Sequence, residues 1–342
     1  MPDGIKKILL IRLDHMGDAI LATPMLEALA QKYPAAEITC IVSSRSHPVF
    51  EHDSRIARKV IFDLSTASRP EKRAMAAWVR QERFDLVISL TEKFWAAMWS
   101  LYSGSPIRIG FDAGLYMPLH MLWRRPSFTH HIRTENNPFV ISPFHEVERY
   151  MQLLQSLGIT DPAGPLTVRT DPSAPSWAAE RWAALNLPMD AIPIGFHFSA
   201  VWGGEGWSQG VQGQIIRELL ARDERVVVIG TAGPGEAGLL AQLADELPGD
   251  RFHLFQSMTF SQWVELVRRL RVYLSVDTGA VHIAAAAGVP TLAVFPDKCF
   301  AHKSTRWHPW GVPYRLLQRP LPSTEAAGCF PDLVLETLWE LL

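Results

Sequence analysis

Apolar runs and amphipathic stretches alternate along the first half of the chain. Lys7–Leu13 is almost continuously apolar, and apolar residues then recur at helical spacing from about Ala19 to Lys32. A short apolar run followed by an amphipathic stretch predicts a strand and then a helix. The same reasoning predicts strands at Glu37–Val42, Lys59–Phe62, Leu86–Leu90 and Ile107–Ile109, and helices at Glu71–Glu82 and His145–Leu157. This alternation is typical of a parallel, doubly wound α/β sheet.

The alternation begins again in the second half. Strands are predicted at Pro193–His197, Arg225–Ile229, Phe252–Leu254, Val272–Val276 and Thr291–Phe295, with helices at Gln212–Arg222, Pro234–Glu246, Phe260–Leu270 and Ala280–Ala287. Between the halves, Asp161–Pro175 is rich in proline and glycine, as linkers often are. We therefore expect two Rossmann-like domains, at residues 1–165 and 166–342. The C-terminal segment, Leu333–Leu342, is expected to pack back on the N-terminal domain.

Composition and charge indicate an ordinary globular protein. The 342 residues are 48% apolar and 20% charged with a formal net charge of −2, so no nucleic-acid binder is indicated. The first apolar run is interrupted at Arg12 and is too short for a signal peptide. Ala280–Phe295 is too short and too interrupted to span a bilayer. The three cysteines form no CxxC pair, so a reducing cytoplasm is the expected location.

A polar turn joins the predicted strand Val272–Val276 to an alanine-rich helix. The turn contains Asp277, Thr278 and Gly279, and His282 follows in the first helical turn. Unpaired amides and the helix dipole favour an anion at such a helix start, and a glycine lets the backbone approach a phosphate closely. Asp277 or Thr278 could equally be an ordinary helix cap, with His282 packed in the core. The pattern alone leaves both interpretations open.

The loop after the first strand carries a second group of polar residues. It runs from Arg12 through Asp14 and His15 to Gly17 and Asp18. Open α/β sheets place their ligands at the carboxyl ends of strands, where Asp18 could accept a proton from a substrate hydroxyl. Asp18 also directly precedes a helical pattern, and the spacing by itself favours a helix cap.

Several sequence signatures are absent, which narrows the class of reaction. The first loop is not GxGxxG, and Gly230–Gly235 has its glycines in the wrong order for that fingerprint, which weakens a nicotinamide site. No GxxxxGK[ST], DxD, HxxxH or HExxH sequence occurs. The absence of these patterns favours a reaction that needs no metal ion or other cofactor.

Taken together, the two loops and three further blocks resemble glycosyltransferase family 9, the lipopolysaccharide heptosyltransferase family. The blocks are Lys7–Pro34, His145–Ile159, Gly195–Ala200, Val276–Phe295 and the tail Arg306–Gly311. They extend over most of the chain, up to about residue 320. The resemblance implies the GT-B architecture, in which two Rossmann-like domains face each other across a cleft. It also implies that residues 1–160 bind the acceptor and residues 175–320 bind the donor.

The resemblance further implies an inverting, metal-independent transfer of a sugar, heptose, from an ADP donor to a saccharide or glycolipid acceptor such as lipopolysaccharide core. Asp18 matches the general base, with Arg12, Asp14, His15 and Gly17 on the acceptor side. The nucleotide-sugar side is matched by Ser199, Glu236, Met258, Asp277, Thr278, Gly279 and His282. A lipid-linked acceptor implies peripheral contact with the inner face of the cytoplasmic membrane.

One residue departs from the family pattern. The family usually carries a lysine or arginine just before a tryptophan in the segment after Ser199, whereas this chain has Glu205 before Trp207. An acid beside a diphosphate is unfavourable unless Lys298, Lys303 or Arg306 compensates it. The departure keeps open a non-catalytic binder of nucleotide sugar, and a nucleotide-sugar epimerase or hydrolase is a further alternative.

Apolar and basic residues in the first half could contact a membrane surface. Phe94–Tyr102 is rich in aromatic side chains, and Leu115–Arg125 combines aromatic and apolar residues with Arg124 and Arg125. Core packing with two solvated arginines explains the same residues and is favoured.

Overall fold

The computed structural model describes residues 4–113, 125–134, 143–199, 201, 209–233, 247, 249–320 and 328–342. The chain divides into two compact units, Met1–Arg169 and Thr170–Leu342. The division lies within the proline- and glycine-rich segment Asp161–Pro175, slightly beyond the boundary expected after residue 165.

The first unit contains a parallel sheet of six strands in the order β3-β2-β1-β4-β5-β6. The strands are β1 (Lys7–Arg12), β2 (Glu37–Val42), β3 (Arg58–Ile61), β4 (Leu86–Ser89), β5 (Ile107–Ala113) and β6 (His130–Thr134). The helices are α1 (Met16–Leu21), α2 (Thr23–Lys32), α3 (His47–Phe50), α4 (Arg69–Glu82), α5 (Phe94–Tyr102) and α6 (Glu146–Leu154). The predicted strands are confirmed to within a few residues, and β6 was not predicted.

The predicted helix from Ala19 to Lys32 is two helices that meet at Ala22. The Thr23 hydroxyl donates to the Ile20 carbonyl at 2.7 Å, and Pro24 has no amide hydrogen to continue the helical ladder. The break ends α1 at Leu21, and because α1 begins at Met16, Asp18 lies in its first turn.

The second unit contains another parallel sheet of six strands, in the order β12-β11-β10-β7-β8-β9. The strands are β7 (Ile192–Phe198), β8 (Val226–Ala232), β9 (Phe252–Phe255), β10 (Val272–Val276), β11 (Thr291–Pro296) and β12 (Tyr314–Arg319). The helices are α7 (Ala174–Ala183), α8 (Gln209–Arg222), α9 (Phe260–Val267), α10 (Gly279–Ala286), α11 (Phe300–Trp307) and α12 (Phe330–Trp339). The predicted helix Pro234–Glu246 lies outside the described residues, and α7, α11 and β12 were not predicted.

The C-terminal helix α12 packs on the second unit. Phe330, Val334, Leu335 and Leu338 are buried in the same apolar cluster as the strands of the second sheet. The apolar face of α12 is thus buried in the core of its own unit, and the packing of this segment on the N-terminal domain stays a prediction.

In each sheet the strand order reverses at one point. The reversal lies between β1 and β4 in the first unit and between β7 and β10 in the second. Open parallel sheets bind ligands outside the carboxyl ends of the strands at such points. The relevant segments are those that follow Arg12 and Ser89 in one unit, and Phe198 and Val276 in the other.

Candidate functional site

In the first unit, Asp18 stands at the third position of helix α1. His15 is the N-cap residue, and its side chain makes no capping hydrogen bond. The alternative that Asp18 is the helix cap is therefore wrong. Its carboxylate still lies near the positive end of the helix, and its side chain is 21% exposed. Gly17 is buried in the same turn.

Arg12 lies buried beneath this loop at the end of β1. One guanidinium nitrogen, Nη2, is 3.1 Å from Asp18 Oδ2, and Nη1 is 3.5 Å from Asp14 Oδ2. Nη1 also donates to the carbonyl oxygen of Leu90, at the end of β4. Burial acts to lower the pKa of Arg12, but Tyr150 and the two carboxylates outweigh it and raise that pKa above its ordinary value. Arg12 therefore stays charged, and its ion pair with Asp18 fixes the position of that carboxylate.

A second set of charges lies around the same strand ends. Arg149, on α6, is 2.6 Å from Glu146 and 3.6 Å from Glu92 in the loop after β4. Lys93, the next residue of that loop, is 3.5 Å from Asp14. Sequence reasoning missed these residues. The signal was present, because Glu146 and Arg149 share one face of a helix whose other inward residues are apolar.

A polar cavity of about 640 Å³ adjoins the loop that follows β1 in the first unit. Asp14 and His15 form part of its wall, together with residues that follow β2 and β3. Ser43 donates to the Asp14 carbonyl at 2.9 Å, which ties two of these loops together. In the wall, Arg45 and Lys93 are balanced by the carboxylates of Asp14 and Asp63, so the cavity suits a hydroxyl-rich solute.

In the second unit, Thr278 is the N-cap of α10. Its hydroxyl oxygen accepts from the Ala280 amide at 3.4 Å and lies 3.2 Å from the Ser275 hydroxyl. Capping does not remove the helix-start amides and dipole that favour an anion. Asp277 is paired with Lys303 of α11 at 2.6 Å, which brings a cation to the turn.

His282 is buried one helical turn further along α10. Burial, with a smaller contribution from the charge of His308, lowers the pKa of His282 to about 4. Among the described residues, no group hydrogen-bonds to its Nδ1 atom. The imidazole is therefore neutral near pH 7 and offers hydrogen-bonding atoms rather than a positive charge.

The remaining nucleotide-side candidates are only partly brought together. Ser199 follows β7 and is buried, and Asp277 follows the neighbouring strand β10, so both lie at the strand-order reversal. Met258 is half-buried in the loop between β9 and α9, toward the edge of the sheet. Glu236 and Glu205 lie outside the described residues.

The candidate membrane segments give a mixed result. Trp99 of α5 is fully buried, as core packing predicts, whereas Phe94 and Tyr102 are about half exposed. Leu115–Arg125 lies almost entirely outside the described residues. Among the residues that the structure does describe, no helix is long and apolar enough to cross a bilayer. The same part of the chain holds no cluster of His, Cys, Asp and Glu side chains suited to a metal ion.

Comparison with known proteins identifies the fold and the family of this chain. Residues 72–326 match the sequence model of glycosyltransferase family 9 (heptosyltransferase). Lipopolysaccharide heptosyltransferase 3 of Escherichia coli strain K12 is 25% identical over 315 residues, covering 86% of this chain and 83% of that protein. A family 9 glycosyl transferase from Veillonella parvula has a similar structure, with a TM-score of 0.78, 18% identity and coverage of 98% and 97%.

Another solved structure, E. coli heptosyltransferase WaaC with ADP-2-deoxy-2-fluoro heptose, has a TM-score of 0.68, 19% identity and coverage of 96% and 99%. These neighbours and the two six-stranded parallel sheets confirm the α/β, GT-B fold class. The family match covers nearly all of the second unit and the latter part of the first, and it includes the turn at Asp277–Gly279. The chain therefore belongs to glycosyltransferase family 9 and is a glycosyltransferase.

Proposed function

We propose that the chain transfers heptose from ADP-heptose to a saccharide of the lipopolysaccharide core, with inversion at the anomeric carbon and without a metal ion. The family description and the name of the E. coli relative support the sugar and the acceptor. The structure of WaaC with ADP-2-deoxy-2-fluoro heptose supports the nucleotide.

The Asp18–Arg12 pair is the observation that carries this proposal. A partly exposed carboxylate is held at 3.1 Å by a buried guanidinium at the strand-order reversal of the first sheet. Asp18 takes the proton of the acceptor hydroxyl as its oxygen forms a bond to the anomeric carbon. The bond from that carbon to the diphosphate oxygen breaks, and ADP leaves with the electron pair. Attack opposite to the leaving group inverts the anomeric configuration.

The turn before α10 suits the departing diphosphate. Its helix-start amides present partial positive charge at Thr278 and Gly279. Lys303, paired with Asp277, offsets the repulsion that the Asp277 carboxylate would exert on a phosphate. The neutral imidazole of His282 adds hydrogen-bonding capacity. These groups supply the electrostatic stabilisation for which many glycosyltransferases use a metal ion.

The acceptor is assigned to the 640 Å³ cavity beside Asp14. Its serine hydroxyls and its balanced set of charged side chains can donate to and accept from the hydroxyls of a core saccharide. An acceptor built on lipid places the reaction in the cytoplasm, at the inner face of the membrane. With the acceptor in this cavity, residues 1–160 bind the acceptor and residues 175–320 bind the donor.

The test compares Asp18→Asn with Asp14→Asn. Both carboxylates lie near Arg12, at 3.1 Å and 3.5 Å, and are similarly exposed. We expect Asp18→Asn to lower kcat by about 1000-fold or more, because the base is lost, while calorimetry gives an unchanged Kd for ADP. Asp14→Asn should instead raise KM for the acceptor. If both variants lost kcat to a similar extent, the two carboxylates would share a structural role and Asp18 would not be the base.

Three further measurements complete the test. Nuclear magnetic resonance of the product should show the anomeric configuration opposite to that of the donor, and transfer should persist in EDTA. Thr278→Ala should weaken ADP binding. Binding of ADP-heptose without transfer to any core saccharide would indicate a non-catalytic binder, and release of free sugar would indicate a hydrolase.

A further inference from the structure

A second cavity, of about 590 Å³, lies at the amino ends of β7 and β10 in the second unit. Pro193 of β7 and Arg271, which precedes β10, form part of its wall. Ser199 and Asp277 follow the carboxyl ends of the same two strands. The cavity is therefore at the opposite end of the sheet from the proposed nucleotide site and is separate from it.

The wall of this cavity is positively charged. It includes Arg268, Arg269 and Arg271, and among the described residues that line it there is no carboxylate. Arg268 is partly compensated by Glu265 at 3.2 Å. Within the described part of the chain, neither Arg269 nor Arg271 forms an ion pair. The positive charges of Arg269 and Arg271 are therefore available to an anionic ligand at this cavity.

An apolar loop borders the arginines. Asn186 adopts a left-handed backbone conformation with φ of 50° and turns the chain away from the end of α7. Leu187, Pro188 and Met189 follow in the cavity wall, and the Met189 side chain is fully exposed at 105%. Exposing a large apolar side chain in this way is unfavourable in water.

Trp182 completes the arrangement. The Arg269 guanidinium carbon lies 5.9 Å from the centre of the Trp182 ring. An aromatic ring, a protruding apolar side chain and adjacent arginines form the combination that binds at the boundary between lipid headgroups and acyl chains. A free phosphate would pair with the arginines but would leave Met189 in water.

We propose that this face of the second unit docks on an anionic phospholipid surface. Arg269 and Arg271 bind lipid phosphates, and Met189 enters the headgroup region. Asp190, the exposed acid next to Met189, lies outside the cavity wall and does not separate the arginines from the lipid. The proposal is independent of which sugar the enzyme transfers.

The test is flotation of the full-length protein with vesicles of phosphatidylglycerol and phosphatidylcholine, against vesicles of phosphatidylcholine alone. We expect binding to the anionic vesicles that falls as salt is raised. Each arginine near an anionic surface strengthens binding about fivefold, so Arg269→Gln/Arg271→Gln should weaken it about 25-fold. Met189→Ser should also weaken binding, although it leaves the charge unchanged.

The matched control is Arg73→Gln/Arg80→Gln, which removes the same charge from exposed positions of α4 in the first unit. It should retain binding, and thermal unfolding should show that all variants are folded. Equal loss in the control would show that only net charge matters and would overturn the proposal. Unchanged binding in the cavity variants would overturn it too. The proposal would also be overturned if millimolar inorganic phosphate abolished vesicle binding while Met189→Ser bound vesicles as well as the unsubstituted protein does. That result would indicate a site for a soluble anion.

Discussion

At the residue scale, Arg12 is unusual because it is a charged residue among the buried positions of β1. Burying a guanidinium is costly unless its charge and its donors are matched. Here Asp18, Asp14 and the Leu90 carbonyl are partners of the two terminal nitrogens, whereas the buried Nε atom has no hydrogen-bond partner among the described residues. The Tyr150 ring lies 5.3 Å from the guanidinium carbon. Because Arg12 is itself 3% exposed, it acts through Asp18 and not by contact with the acceptor.

We predict that Arg12→Met lowers kcat by about 100-fold, because the base loses the group that orients it. The Kd for ADP should not change, since the nucleotide candidates belong to the second unit. Arg12→Lys keeps the charge but cannot contact all three partners, so it should recover only part of kcat. Steady-state kinetics and calorimetry measure these effects. A loss of ADP binding equal to the loss of kcat would mean that the variant disturbs the whole protein.

At the element scale, a chain of polar contacts crosses three strands of the second sheet. The Tyr273 hydroxyl of β10 lies 2.6 Å from the Thr231 hydroxyl of β8, and Thr231 lies 3.2 Å from His197 of β7. His197 stacks on Trp263 of α9 at 5.1 Å. The Tyr273 ring can reach across β7 because Gly195 has no side chain. A Cβ atom at residue 195 would be 2.2 Å from the ring.

We therefore predict that Gly195→Ala lowers the free energy of unfolding by about 1–3 kcal/mol, as overpacking of a filled core does. Gly249→Ala is the matched control, because nothing lies within 4 Å of a Cβ atom at that position. Urea denaturation of the full-length protein measures both. Equal stability of the two variants would show that the sheet accommodates the methyl group.

At the scale of the whole molecule, two buried histidines make the stability of the second unit depend on pH. His197 and His282 both belong to the second unit, and burial lowers the pKa of each to about 4. The unfolded chain, with an ordinary histidine pKa near 6.5, binds these protons more readily between pH 6.5 and 4. Stability is thus complete above pH 6.5 and is lost as the pH falls toward 4.

We predict that the second unit loses on the order of 2 kcal/mol per histidine between pH 7 and 5. Hydrogen exchange of peptides from β7 and β10 in the full-length protein measures the loss within that unit. The double variant His197→Gln/His282→Gln is less stable at pH 7 but should lose less on acidification. An unchanged pH dependence in that variant would show that other groups control it.

Most strands could be predicted from the sequence, because a buried parallel strand is a short continuous apolar run, as in Lys7–Arg12 and Val272–Val276. The turn at Asp277–Gly279 could be found because a helix start depends on adjacent residues. In contrast, β12 was missed because three of its six residues are polar, and α11 was missed because it is short and mostly polar, although its apolar residues lie at helical spacing.

The sequence by itself determined the class of fold, the family and the two loops that carry chemistry, because periodicity and turn residues are local properties. Only the tertiary structure decided which charges meet. Arg12 contacts the carbonyl of Leu90, 78 residues away, because β1 and β4 are neighbours in the sheet. The packing of α6 within the first unit likewise brings Arg149 to Glu92. Such contacts depend on strand order and helix packing, which are set by the burial of apolar surface over each unit and not by any short stretch of sequence.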